Sequence, residues 1–192
     1  MPSDYTLSLS TVTATIHAPI EKVNIADWVL HLPDAEYQRC STAHIAAGAT
    51  IADDGRPMSI NVETIGDAFV VQHYVAEVQE PHFCRMVSIS DSISPAGRTK
   101  LQVVWELSAR KLDDQTCEYT NHIHSSAIEQ TLAFFQEHHI PFEKARDARQ
   151  QASHVHNQEE TPKFAKSIEQ KALGQDLAHQ SAANRIALEE EK

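Results

Sequence analysis

Seven segments of alternating apolar and polar residues, parted by turn chemistry, occupy the chain up to residue 125. No segment of that kind follows. Period-two alternation puts one apolar face on each strand, so the folded chain must bury the face of a sheet. The first segment, residues 5–16 (YTLSLSTVTATI), is rich in Thr and β-branched residues. Further strands are expected at 43–51, 58–65, 68–79, 82–92, 99–110 and 116–125. Their separators are Asp53-Asp54-Gly55-Arg56-Pro57, Gly66-Asp67, Glu80-Pro81, Ser94-Pro95-Ala96-Gly97 and Asp113-Asp114, and such spacing indicates an antiparallel meander.

Two short helical pieces interrupt the series early. Pro19 suits a first helical turn, and a helix through Asp27-Trp28-Val29-Leu30 must stop before Pro33. After residue 126 the period changes to that of a helix, with Ile128, Leu132 and Phe135 in step. Pro141 interrupts, and residues 142–160 are expected to form a helix with Phe142, Ala145, Ala148, Ala152 and Val155 along one side. Pro162 is expected to kink or restart it, since proline has no N–H for the carbonyl four residues back. Phe164, Ala165, Ile168 and Leu173 continue the pattern, and Gly174 is a C-terminal stop. The expected domain is 1–173, with 174–192 as a helical or disordered tail.

An antiparallel sheet with one long helix to cover its apolar face resembles the helix-grip superfamily, which includes START and Bet v 1-like domains. The fold class implied is α+β, a sheet wrapped around a long C-terminal helix with a cavity between them. Trp105, with Leu101, Val103 and Leu107, reads as core.

Charge narrows the partners. Lys and Arg number 16 against 27 Asp and Glu, a net charge of −11. Binding nucleic acid needs clustered positive charge, and docking on an anionic membrane needs the same, so neither partner is expected. Apolar runs are too short to span a bilayer, and MPSDYTLSLS carries no secretory signature. Cys40, Cys84 and Cys117 form neither a metal-type pair nor a disulfide framework, so the expected compartment is the cytoplasm. Cys84 and Cys117 have no adjacent base, and no Gly-x-Ser-x-Gly elbow or phosphate-binding glycine loop occurs.

Twelve histidines remain to be explained. In His156-Asn157-Gln158-Glu159-Glu160, His156 and Glu160 share a helical face and form either a two-ligand arm for a metal or a solvated pair. The turn at Asp53-Asp54-Gly55 has its mirror point between Asp53 and Asp54, which sets His44 opposite Glu63 on paired strands. That pair is a second two-ligand arm or a polar face. His122 and His124, two apart on one strand, either line the cavity or form a polar strand face. His138-His139 falls at a helix end, where positive charge is favourable.

Three stretches resemble the diacetylphloroglucinol hydrolase family, which also includes phloretin hydrolase. They are Trp28 with the segment from Tyr37 to His44, Val62-Glu63-Thr64-Ile65-Gly66 with Glu80-Pro81-His82-Phe83, and His156 to Glu160. The resemblance implies a helix-grip catalytic domain with a zinc ion, or another divalent transition metal, on His44, Glu63, His156 and Glu160. It also implies hydrolysis of the carbon–carbon bond joining an acyl group to a phenolic ring. Cys40-Ser41-Thr42 stands where that family has Trp-His-Pro, and the Tyr37-to-His44 spacing is one residue shorter.

The function expected is therefore metal-dependent hydrolysis of a C–C bond next to a carbonyl in a small acylated phenol or 1,3-dicarbonyl substrate. A general acid must protonate the departing carbon, and Tyr37, Tyr119, His122 and His124 are the candidates. The alternatives are a metal-free helix-grip carrier of an apolar ligand and a polyketide cyclase-like protein. The partner expected is a small aromatic or diketone substrate, with the chain acting alone or as a homodimer.

Overall fold

Alternation becomes burial along each strand. In β6 (Gly97–Lys111), Leu101, Val103, Trp105 and Leu107 point inward and are buried, while the residues between them are partly exposed. The same holds for β1 (Thr6–Ile16), β3 (Pro57–Ile65), β4 (Ala68–Glu80), β5 (Phe83–Ser94) and β7 (Cys117–Ala127), with β2 (His44–Ile51) the least covered. The computed structural model describes residues 5–174, so the expected tail from 175 onward lies outside the described residues. Every strand boundary falls within two residues of its expected place.

The strands make one antiparallel sheet in the order β1-β7-β6-β5-β4-β3-β2. Helix α1 (Ile25–Leu30) starts at Asn24, whose side chain accepts a hydrogen bond from the Asp27 N–H. A further helix, α2 (Asp34–Cys40), follows Pro33, where apolar periodicity alone gave no sign of one. Helix α3 (Glu129–Glu137) precedes α4 (Phe142–Ala172), which packs along β1 and closes over the sheet. This is the expected helix grip. No helix of the described residues is long and apolar enough to cross a membrane.

Two expectations about α4 are corrected. The helix is continuous through Pro162. Pro162 lies on the exposed side, and the carbonyl it leaves without an N–H belongs to the exposed Gln158. The expected apolar stripe is only partly covered, at Phe142, Ala145 and Ala152, and the fully buried stripe lies beside it. Val155 is 59% exposed, whereas Ser153, His156, Asn157, Glu160 and Thr161 are buried. Below Thr161 the buried face turns apolar, and Phe164 is fully enclosed, edge-on to Trp28 at 5.1 Å.

The turn between β3 and β4 is fixed by Gly66, whose φ of +65° suits glycine. A Cβ there would also stand 3.2 Å from the Ala152 Cβ, so the sheet end and α4 approach closely at this point.

Candidate metal centre

Inward-facing positions of β3 are Ser59, Asn61 and Glu63, all buried. A sheet face that should be apolar is thus polar where α4 crosses it. On α4, Arg149, Ser153, His156 and Glu160 follow one another at spacings of four, three and four, so they share one stripe toward the same space.

His44 reaches this space through a defect in the β2–β3 hairpin. From Ile51 opposite Pro57 to Ala46 opposite Val62, the pairing is centred on Asp54. Continued without change, that register would put Ile45 opposite Glu63 and His44 opposite the exposed Thr64. A bulge between His44 and Ala46 shifts the register, so His44 faces Glu63 and is buried. The expected pairing is present, but the bulge produces it rather than the symmetry of the turn.

The four side chains converge. His44 Nε2 lies 3.1 Å from Glu160 Oε2 and 3.6 Å from Glu63 Oε2. His156 Nε2 lies 3.1 Å from Glu63 Oε2 and 3.3 Å from Glu160 Oε2. One donor atom from each residue falls within 4.8 Å of all the others, and all four residues are buried. Together they could hold a metal ion.

Each of the four is held by an outer partner. The His44 Nδ1–H donates to the Tyr37 carbonyl at 2.6 Å, which orients the ring so that Nε2 faces the cluster. The Tyr37 ring stacks on the His44 ring at 3.8 Å, and its hydroxyl donates to Glu63 Oε2 at 3.0 Å. His156 Nδ1 lies 3.4 Å from the Ser41 hydroxyl, which donates to Glu159. Asn121 Nδ2 donates to Glu160 Oε1 at 3.0 Å, while its Oδ1 accepts from the Trp105 indole at 2.7 Å.

Charge is compensated inside the cluster. Burial opposes the charged form of His156, but Glu160 and Glu63 outweigh it and push the imidazole up to about 11. Burial also disfavours ionised Glu63 and Glu160, yet the neighbouring imidazoles hold both below the usual carboxylate range. Burial, reinforced by these carboxylates, raises Tyr37 well above an ordinary phenol. Glu159 sits outside the cluster, and the Thr42 N–H, chief among its partners, draws it down to about 2. It ties the segment before β2 to α4.

A narrow cavity of about 20 Å³, room for about one water molecule, adjoins the cluster. Tyr37, Tyr74, Gln72 and Trp105 line it. A wider cavity of about 600 Å³ lies between α3, α4 and the turns at Gly66 and Pro95, and Ile65 and Arg149 border both.

The other expected residues separate. Of the general-acid candidates, Tyr37 borders the inner cavity. His122 and His124 do not, because Ile123 takes the inward place on β7 and they fall on the opposite face, bonded to Thr11 and Thr6. Tyr119 is fully buried against Trp28, apart from the cavity lining. All three cysteines are buried and free, and burial raises their thiols. Tyr74, Asn121, Ser41 and Arg149 were not singled out from sequence. For Asn121 and Tyr74, a hydrogen-bonding side chain at an inward strand position was a usable signal.

No family model matches the chain, and no curated protein matches it. Solved structures do. Zhui aromatase/cyclase from Streptomyces sp. R1128 aligns with a TM-score of 0.61 at 10% identity, over 85% of this chain and 94% of that one. A START superfamily protein from Mycobacterium smegmatis aligns at 0.44 and 13% identity, over 72% and 95%. A norcoclaurine synthase point mutant from Thalictrum flavum aligns at 0.48 and 10% identity, over 91% and 98%. The likeness is one of fold, the START/Bet v 1-like helix grip, and rests on the first alignment.

Proposed function

We propose that this chain is a metal-dependent hydrolase that cleaves a C–C bond next to a carbonyl in a small acylated phenol or 1,3-dicarbonyl compound. The observation that carries the reading is the convergence of two imidazole nitrogens and two carboxylate oxygens, each braced by an outer partner. Their four N–O separations run from 3.1 to 3.6 Å. Donors about 2.0–2.1 Å from a tetrahedral zinc ion stand about 3.3 Å apart, close to these four separations. Braced ligand histidines and carboxylates are also what a metal site requires.

His44, Glu63, His156 and Glu160 would hold the ion. When bound, such an ion supplies Lewis acidity, polarising a ketone oxygen and acidifying water. Tyr37 keeps its proton, since burial raises its phenol, and holds it at the hydroxyl beside Glu63. That hydroxyl is the general acid best placed to protonate a departing ring carbon. Trp105, Val103 and Ile65 form the apolar part of the inner cavity wall and limit the entry of bulk water.

A second reading, a metal-free carrier or a polyketide cyclase-like protein, is favoured by the outer cavity and by the fold shared with an aromatase/cyclase. Metal analysis of protein purified without a His-tag, followed by acid release from acylphloroglucinols and β-diketones, separates the two. Stoichiometric metal and chelator-sensitive acid release support the hydrolase. Metal-free protein that returns bound ligands intact supports the carrier.

A further inference from the structure

Arg149 stands where the two cavities meet. Its Nε is shut off from solvent and has no hydrogen-bond partner among the described residues. The contrast with the other described arginines is complete. Arg39, Arg56, Arg85, Arg98, Arg110 and Arg146 each pair with a carboxylate nearer the surface. Arg149 is half-buried, and it pairs with no carboxylate among the described residues. A guanidinium cannot shed its proton at any physiological pH, and an Nε–H shut off from water with no acceptor within hydrogen-bond distance is unfavourable. Such a group persists where something else supplies the anion.

We infer that Arg149 receives an anionic oxygen of the substrate, with the reacting carbonyl directed past it into the inner cavity. This rests on the reading of the four-residue cluster as the reacting centre. The two sites are suitably spaced. Seven residues of α4 separate Arg149 from His156, about 10 Å along the helix axis, the length of an acylated ring. Volumes agree: the outer cavity of about 600 Å³ takes the body of such a molecule, while the inner one of about 20 Å³ admits only its tip. The charge count agrees as well. A divalent cation balances Glu63 and Glu160, which leaves Arg149 one positive charge in excess, and a monoanion cancels it. A guanidinium also offers the paired donors that suit a carboxylate or an enolate flanked by a second oxygen.

Two sources of the anion, a ring enolate or phenolate and a carboxylate, are distinguished by paired probes. Acetylphloroglucinol is compared with its trimethyl ether, and 4-acetylbenzoate with its methyl ester, by titration calorimetry on protein of measured metal content and again after chelation. At least one anionic probe is expected to bind 10-fold or more tightly than its neutral partner, and the pair that does so identifies the source. Arg149→Gln is expected to abolish that preference with metal content unchanged, and Arg149→Lys to keep part of it. The melting temperature of Arg149→Gln should equal or exceed that of wild type, because an uncompensated charge has gone. A purely structural arginine would lower it. Preference that survives chelation, or that appears in protein found without metal, supports Arg149 and counts against the metal centre alone. Equal binding of both members of each pair in both forms, or a preference that Arg149→Gln retains, overturns the inference.

Discussion

Removal of His156 tests whether the cluster is a charge-compensated unit. His156 lies 3.1 Å from Glu63 Oε2 and 3.3 Å from Glu160 Oε2, and all three side chains are buried. His156→Ala leaves two carboxylates facing each other with His44 alone between them. Loss of one partner from a buried ion pair costs about 3–5 kcal/mol. For a chain of this size, 1 kcal/mol moves the melting temperature by about 2–4 °C. The expected fall is therefore about 6–20 °C, read by thermal unfolding of chelated protein. Neutralising the carboxylate that His156 had balanced should then relieve the strain. The amide oxygen introduced by Glu63→Gln would still accept the Tyr37 hydroxyl, so His156→Ala/Glu63→Gln should melt above His156→Ala. The coupling should exceed about 1 kcal/mol in a double-mutant cycle. Additive losses, with the double variant melting lower than the single, would refute the reasoning.

Metal binding should expel the proton that His156 holds. With the imidazole raised to about 11, calorimetry at pH 8 in buffers of different ionisation enthalpy should show about one proton released per ion. The same raised value fixes the sign of a stability profile: in metal-free protein the His156 contribution is full below its ordinary 6.5 and is lost as pH rises through about 11. Asn121→Leu deprives Glu160 Oε1 and the Trp105 indole of their partner, and should weaken metal binding by about 10–100-fold in competition with a chromophoric chelator. Gly66→Ala meets both a φ of +65° and the Ala152 Cβ at 3.2 Å, and should cost about 1–3 kcal/mol in denaturant unfolding without changing metal stoichiometry.

The sheet and the helices other than α2 were legible in the sequence because each depends on local periodicity. Alternation along residues 99–110 reports which side chains of β6 face inward whatever that face later meets, and Gly66 and Gly174 mark turns by their own backbone freedom. The i, i+4 spacing of His156 and Glu160 likewise follows from helix geometry alone. Tertiary structure decided the rest. Which face of α4 is buried depends on what crosses it, so the buried polar stripe from Ser153 to Glu160 prevailed over the apolar positions at Ala148 and Val155. His44 reaches Glu63 only because a bulge shifts a register that the turn sets differently. Asn121 and Arg149 take their places from partners and spaces contributed by segments distant in the chain, and His122 and His124 stay off the inner cavity because a neighbour, Ile123, points inward. Periodicity constrains a residue relative to its own strand or helix. The meeting of His44, Glu63, His156 and Glu160 from β2, β3 and α4 depends on how those elements pack, and that is fixed by the core of the whole domain.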